Sequence, residues 1–596
     1  MTLSIECKNF YRSLQILSYL AQIGAEYFIL CPGSRSAPLA IAAGVLYKKG
    51  LIKLFNSIDE RSAGFHALGI SEASGKIVVV ITTSGTAVAN LLPSAVEADK
   101  SSNKVIYITA DRPLNLKDCG ANQTVNQEEF LKSVCNIFLS THLKGIHISS
   151  DLEIDNLLVK ILKNNINSSG PVHLNIPFEK PLTISEVNKK KVLKLSEKFL
   201  TNKDYPEHGL GRSKKQIKRV NEIIKNFNLS ASGIIIVGPY RGSSEDLNEF
   251  NNALEEIQNL TGWPIFADPI SGVRSTIRGL VENWEIIISH RDNKIRCDHL
   301  LRLGPMPTSN KLESFLKQFI GKQFLIKEND SRNLDPTKKS IEYDFGIKSF
   351  VEYLKNSKPF NKNNSNIEPL TYLANDLIKE GNHIKGILQK SFYCSKKITE
   401  ISLAHFIPKI WPSAYPIMLS ASSPIRDWLT FSGNKTLTRR CFSFRGASGI
   451  DGTLSLALGI ARINNPLLLV TGDLAFLHDI NGFLIENSHD LILTILIIDN
   501  QGGNIFNNLY KNDLSREEIR KLFIMPKILN WEKIAEAHQI PYKVVERLND
   551  LKDAFDWSIS VNGIAIIKIN IDADYDINER NNIIDCINRF KFNPQI

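Results

Sequence analysis

Short apolar runs of strand length recur along this chain, each followed by a stretch long and amphipathic enough for a helix. In the first third they fall at 27–30, 76–82, 104–109 and 171–176. A run that is apolar throughout predicts a strand covered on both faces, and strand–helix alternation predicts βαβ crossovers and a parallel sheet. The rhythm resumes at 233–238 and 299–303, and again at 417–420, 466–471, 491–498 and 563–569. Such a chain folds as α/β. Its 596 residues exceed what one core organises, so three units are expected, at 1–185, 207–360 and 395–596. A lysine-rich stretch at about 186–206 and FNKNNSNIEP, from residue 360, read as the connections between them.

Composition narrows the class. Apolar residues make up 43% and charged residues 22%, ordinary values for a globular protein. The net charge of +10 is spread over short runs such as Lys189-Lys190-Lys191. With no aromatic-interleaved basic stripe, it predicts a solvated surface and an anion-handling site, and no nucleic-acid partner. Eight scattered cysteines, without a CxxC pair or zinc spacing, point to reduced thiols inside a cell. The opening MTLSIECKNF lacks a signal-peptide pattern, and no apolar run approaches the roughly 18 residues of a membrane helix. A soluble, cytoplasmic protein is expected.

Two places carry chemistry. LLLVTGDLAF (467–476) puts Gly472-Asp473 at the end of an apolar strand, and LILTILIIDN (491–500) ends at Asn500, before Gln501-Gly502-Gly503. The carboxyl edge of an open parallel sheet is where ligands bind. An Asp carboxylate, an Asn amide oxygen and a backbone carbonyl made approachable by glycine suit octahedral Mg²⁺, with diphosphate oxygens and water completing the shell. In the first third, Asp59-Glu60 follows a short run and opens an amphipathic helix. Such a pair is ordinarily a favourable charge on a helix dipole. Here the next strand leads into Thr82-Thr83-Ser84-Gly85-Thr86-Ala87, a loop able to pack beside a bound ring. Upstream, CPGSRSAPLA (31–40) sets an arginine between two serines at a strand-to-helix turn.

The stretches CPGSRSAPLA, IDERSAGF, TSGTAVANLLPSAVEA, TADRP, DCGANQ, RGASGIDG and GDLAFLHDINGF occur in this order. Together they resemble the SEPHCHC synthase family of thiamine-diphosphate (ThDP) enzymes, SEPHCHC being 2-succinyl-5-enolpyruvyl-6-hydroxy-3-cyclohexene-1-carboxylate. The resemblance is dense over 25–130 and 420–510 and thin between. It implies the three-domain ThDP-enzyme fold: a pyrimidine-binding domain at 1–185, a middle domain at 207–360 and a diphosphate-binding domain at 395–596. It implies a transferase of menaquinone or phylloquinone biosynthesis. Such an enzyme decarboxylates 2-oxoglutarate, releases CO₂ and adds the succinyl carbanion to isochorismate by 1,4-addition, keeping the enolpyruvyl group. The nearest alternative is another ThDP-dependent 2-oxo acid decarboxylase or carboligase. The implied cofactors are ThDP and Mg²⁺, with Mn²⁺ as an alternative. The implied partners are the two small-molecule substrates and a second copy of the chain, as homodimer or homotetramer.

Carried over residue by residue, the resemblance makes Glu60 catalytic, holding the cofactor's aminopyrimidine in the tautomer that takes the C2 proton. Asp473, Asn500 and the Gly502 carbonyl become metal ligands. Ile450 props the cofactor into its bent shape. Both substrates are dianions, and arginine binds carboxylates bidentately. Ser34, Arg35, Gln123, Ser422, Arg426 and Arg445 are the implied substrate contacts, and Ile505 and Phe506 line the substrate side. A family lysine falls on Asn310, with Lys311 one position later, so its basic role has either moved to Lys311 or been lost. Phe444 stands where asparagine is common.

Overall fold

The computed structural model describes residues 3–135, 137–167, 170–201, 225–242, 245–291, 294–328, 330, 332–357, 367–394, 397–486, 491–510 and 514–589. Among them run three sheets flanked by helices, and all strand pairs in the sheets are parallel. The first holds β1 (Tyr27–Leu30), β2 (Lys53–Asn56), β3 (Val78–Thr82), β4 (Val105–Asp111), β5 (Ile137–Ser140) and β6 (Val172–Pro177), in the order β2-β1-β3-β4-β6-β5. The second holds β7 (Gly233–Val237), β8 (Ile265–Ala267), β9 (His299–Leu303), β10 (Lys322–Ile326) and β11 (Ser340–Tyr343), in the order β11-β10-β9-β7-β8. The third holds β12 (Ile417–Leu419), β13 (Cys441–Ser443), β14 (Leu467–Gly472), β15 (Leu493–Asp499), β16 (Tyr542–Val545) and β17 (Ile564–Asn570), in the order β13-β12-β14-β15-β17-β16. Counted from its own first strand, the third sheet repeats the order of the first.

That shared order fixes where a ligand site forms. From β1 the chain steps to β2 on one side and returns to β3 on the other. From β12 it does the same with β13 and β14. The loops leaving neighbouring strands then diverge and open a crevice at their carboxyl ends. In the first sheet Leu30 lies opposite Ile81, so the loops after β1 and β3 start side by side. In the third, Leu419 pairs with Val470.

The chain gathers into two compact units. One comprises Met1–Leu210, Phe444–Asn464 and His478–His489, and the other Gly211–Ser443, Asn465–Leu477 and Asp490–Ile596. In the first unit, Phe28, Leu30, Val79, Ile81, Ile106 and Ile108 are buried with Phe10, Leu14 and Leu17 of the helix Ile5–Gln22. In the second, Ile235, Val237, Leu301 and Leu303 pack with Leu254 and Ile257 of the helix Leu247–Thr261. Each such side chain contributes roughly 1.5–3 kcal/mol on leaving water. Among the described residues no helix is long and apolar enough to cross a membrane.

The lysine-rich stretch read as a connection is helical as far as it is described, over Glu186–Leu195 and Glu197–Thr201. Ser185 caps the first of these by accepting the Asn188 N–H at 3.3 Å, and Val192 is buried in the first core. Leu193 of the same helix and Leu200 of the next also pack against that core, and these few apolar anchors do not stand out among the lysines. The rest of that stretch and most of FNKNNSNIEP lie outside the described residues.

Candidate functional site

In the first unit the predicted residues collect at the β1/β3 crevice. Gly33 admits the turn after β1, because a Cβ there would lie 2.4 Å from Thr83 Cβ. Ser34 is exposed, whereas Arg35 is buried and donates from Nη1 to the Phe178 carbonyl at 2.7 Å. Gly85, after β3, has φ of 90° and donates its N–H to Gln127 Oε1 at 3.1 Å. Gln123 packs against it and donates from Nε2 to the Ser84 carbonyl at 2.9 Å.

A residue that sequence reasoning left without a role joins them. Arg112, just past β4, donates to Ser84 Oγ and to the Gln123 carbonyl. Burial pushes the Arg35 pKa below its ordinary value, and the nearby Arg112 cation pushes the same way. Burial also lowers that of Arg112, against the pull of Asp111. Two partly desolvated guanidinium groups that repel each other gain from a bound anion. The available signal was position: Arg112 follows a fully buried strand inside the quoted TADRP.

Glu60 opens the helix Glu60–Ser74 on the loop after β2. Asp59 caps that helix, its carboxylate accepting the N–H groups of Arg61 and Ser62 at 2.9 and 3.3 Å. Glu60 is half-buried, with Oε2 3.5 Å from Asn90 Nδ2. The same unit holds the loop bearing Arg445 and Ile450. Phe65, one turn along the Glu60 helix, meets Phe444 edge to face at 5.8 Å, and Gly452 leaves room for the Phe65 ring. The helix Thr453–Ala461 lies against the Glu60 helix where Gly459 faces the His66 carbonyl, at a spot with no space for a Cβ. Arg445 Nη1 reaches Ser448 Oγ at 3.3 Å, and Ile450 is half-buried.

The second unit brings together Asp473, Asn500 and Gly502 at the ends of β14 and β15. Asp473 is buried and its Oδ1 accepts the Leu474 N–H at 2.8 Å. Burial pushes its pKa up to about 6, Asp499 adds to that, and the N–H groups of Leu474 and Gly502 oppose it. Asn500 donates its amide to Glu400 Oε1 at 2.6 Å. That bond turns Oδ1 the other way, where it is buried without a hydrogen-bond partner among the described residues. A buried acceptor with nothing to accept is costly, and a cation would meet it. Gly502 has φ of 124°, and a Cβ there would stand 2.1 Å from the Ile524 carbonyl oxygen. The donor set is one carboxylate, one amide oxygen and one carbonyl, which fits Mg²⁺. No cluster of three or more His, Cys, Asp or Glu suited to a metal occurs among the described residues. Glu400, which holds Asn500, has no sequence signature, because its partner lies a hundred positions away.

At the β12 end of the same sheet, Ser422 (φ 73°) starts the helix Ser423–Phe431, and Arg426 donates from Nη1 to its carbonyl at 2.6 Å. Ile505 and Phe506 open the helix Ile505–Tyr510, and the Phe506 ring stacks on Tyr510 at 6.0 Å. Lys311 stands exposed in the first turn of the helix Asn310–Gln318, and no hydrogen bond ties it to the other candidates among the described residues.

Two crevices at the carboxyl ends of parallel strands define a ligand-binding α/β protein, and family comparison makes it a thiamine-dependent enzyme. Residues 13–130 match the thiamine pyrophosphate enzyme N-terminal TPP binding domain, and 429–569 match the C-terminal TPP binding domain. Relatives extend over the whole chain. A 2-succinyl-5-enolpyruvyl-6-hydroxy-3-cyclohexene-1-carboxylate synthase of Prochlorococcus marinus (strain MIT 9515) is 60% identical, covering 98% of this chain and 99% of its own. That of strain NATL2A is 43% identical over 99% of this chain and 98% of its own. The chain belongs to the SEPHCHC synthase family.

Proposed function

We propose that this chain is a ThDP-dependent SEPHCHC synthase that joins 2-oxoglutarate to isochorismate with loss of CO₂. The observation that carries the site assignment is the orphaned Asn500 Oδ1, after the strand that pairs with the one ending at the buried Asp473, in a chain 60% identical to named synthases. Asp473, Asn500 and the Gly502 carbonyl would hold Mg²⁺, or Mn²⁺, against the cofactor's diphosphate. Bound ThDP supplies the electron sink for decarboxylation and for the new carbon–carbon bond.

The chain's own residues do the rest. Glu60 would meet the cofactor's pyrimidine and hold at its carboxylate the proton that sets the reactive tautomer. Ile450 would support the cofactor as an apolar prop. Arg35, Arg112, Arg426 and Arg445, with Ser34, Gln123 and Ser422, bind and orient the carboxylates of the two dianions. Ile505 and Phe506 would exclude water, and Lys311 would supply the cation that the family lysine carries. Domain limits of 1–185, 207–360 and 395–596, a homodimer or homotetramer, and a cytoplasmic location complete the proposal.

Product analysis tests it. With ThDP, Mg²⁺ and both substrates, one CO₂ and one adduct retaining the enolpyruvyl group are expected per turnover. CO₂ release at full rate from 2-oxoglutarate alone, with no adduct, would instead identify a simple decarboxylase.

A further inference from the structure

We propose that Glu97 is a positioning residue whose carboxylate clamps the loop between Arg445 and Ile450. Glu97 lies on the helix Leu92–Ser101, near the end of TSGTAVANLLPSAVEA, and has no part in the crevice described above. It is buried in the first unit. Its Oε1 accepts the Gly446 N–H at 2.7 Å, and its Oε2 accepts those of Ala447 and Ser448 at 2.6 and 3.0 Å. Consecutive N–H groups converge on one carboxylate only where the backbone curls around it, and Ser448, at φ 63°, supplies the curl.

Other features belong to the same device. A Cβ on Gly446 would lie 2.7 Å from both the Glu97 carbonyl oxygen and Oε1, so only glycine fits. Ser448 Oγ donates to the Phe444 carbonyl at 3.2 Å and accepts from Arg445 Nη1 at 3.3 Å, tying the arginine to the clamped turn. Beyond it, the Ile450 carbonyl accepts from Thr453 Oγ1 at 2.8 Å, joining the loop to its helix. Charge-assisted bonds to backbone N–H groups are short and directional, which suits them to fixing a loop. The clamp therefore sets where Arg445 points without touching substrate itself. This rests on reading Arg445 as a substrate arginine.

The test is a double-mutant cycle on the holoenzyme. Glu97→Gln keeps the volume but turns one accepting oxygen into a donor facing N–H groups. It should lower kcat/KM for at least one substrate by about 10- to 100-fold, the scale of a misplaced site group. The thermal midpoint should stay near that of the parent. Gly446→Ala should reproduce the effect. The double variant Glu97→Gln/Arg445→Ala should be no worse than Arg445→Ala by more than about threefold, because both changes remove one contact. Parental kcat/KM in Glu97→Gln, or losses that multiply in the double variant, would overturn the clamp alone. A normal Arg445→Ala would overturn the substrate reading, and the proposal with it. If Glu97→Gln does not fold, Glu97→Asp, still charged but one methylene shorter, carries the same cycle and the same criteria.

Discussion

Replacing Gly502 with alanine should separate cofactor binding from folding. Gly502 holds φ at 124°, a region L residues rarely adopt, and a Cβ there would stand 2.1 Å from the Ile524 carbonyl oxygen and 3.0 Å from its Cγ2. Backbone strain of this kind costs about 1–3 kcal/mol. Moving the loop away from Ile524 also breaks the Gly503 N–H bond to that carbonyl, 2.7 Å long, worth about 1 kcal/mol. The free protein can relax by shifting the loop, so the cost falls on binding, when the Gly502 carbonyl must return to the metal. The strain imposed on binding, less the roughly 1 kcal/mol hydrogen bond that re-forms as the loop returns, leaves up to about 2 kcal/mol, a rise in Kd of up to roughly 30-fold. Titration of the apoprotein with ThDP at fixed Mg²⁺, followed by tryptophan fluorescence or calorimetry, reads this directly. A Gly502→Ala protein that binds the cofactor with parental affinity would show that this loop does not hold the metal.

Asp473→Ala should abolish activity and weaken Mn²⁺ binding, measured by electron paramagnetic resonance in the presence of ThDP, because it removes the one carboxylate of the donor set. Arg112→Ala should lower kcat/KM by about 30- to 700-fold, the loss of a partly buried carboxylate contact of about 2–4 kcal/mol, with ThDP affinity unchanged; unaltered kinetics would remove Arg112 from the site. Burial pushes His66 and His173 down to about 3, so both stay neutral in the fold while the unfolded chain protonates near 6.5. Their contribution to stability should therefore be constant above that pH and be lost as pH drops from about 6.5 toward 3, by up to about 1.4 kcal/mol per pH unit for each histidine. Denaturant titrations of His66→Asn should show a shallower acid limb, and an unchanged slope would mean that His66 is not the group responsible.

The central strands were legible because burial on both faces makes most of their positions apolar. The runs at 27–30 and 299–303 coincide with β1 and β9. Edge strands were not. Ile137–Ser140 is only half-buried, and Tyr542–Val545 exposes two of its four residues, so neither shows an unbroken apolar run. The shared strand order of the first and third sheets is set by crossover direction, which no local pattern records. The metal-type donors were readable because Gly-Asp and Asn-x-Gly sit at strand ends. Their supports were not, since Glu400 and Glu97 act on residues far away in the chain. An isolated glutamate on a helix looks the same in sequence whether it faces water or three backbone N–H groups. Arg112 was visible as a motif residue, but only its bonds to Ser84 and Gln123 bring it into the crevice beside Arg35.

The most direct measurement concerns Glu60, from which the proposed chemistry starts. Hydrogen–deuterium exchange at C2 of bound ThDP reports proton removal without either substrate. Glu60→Gln keeps the shape and a hydrogen bond but cannot hold the ring proton as a carboxylate does. Exchange should slow about 10²–10⁴-fold, the usual contribution of a positioned acid–base group, while cofactor affinity stays near that of the parent. Exchange at the parental rate in a Glu60→Gln protein saturated with ThDP would contradict the account, leaving Glu60 as no more than the first carboxylate of its helix.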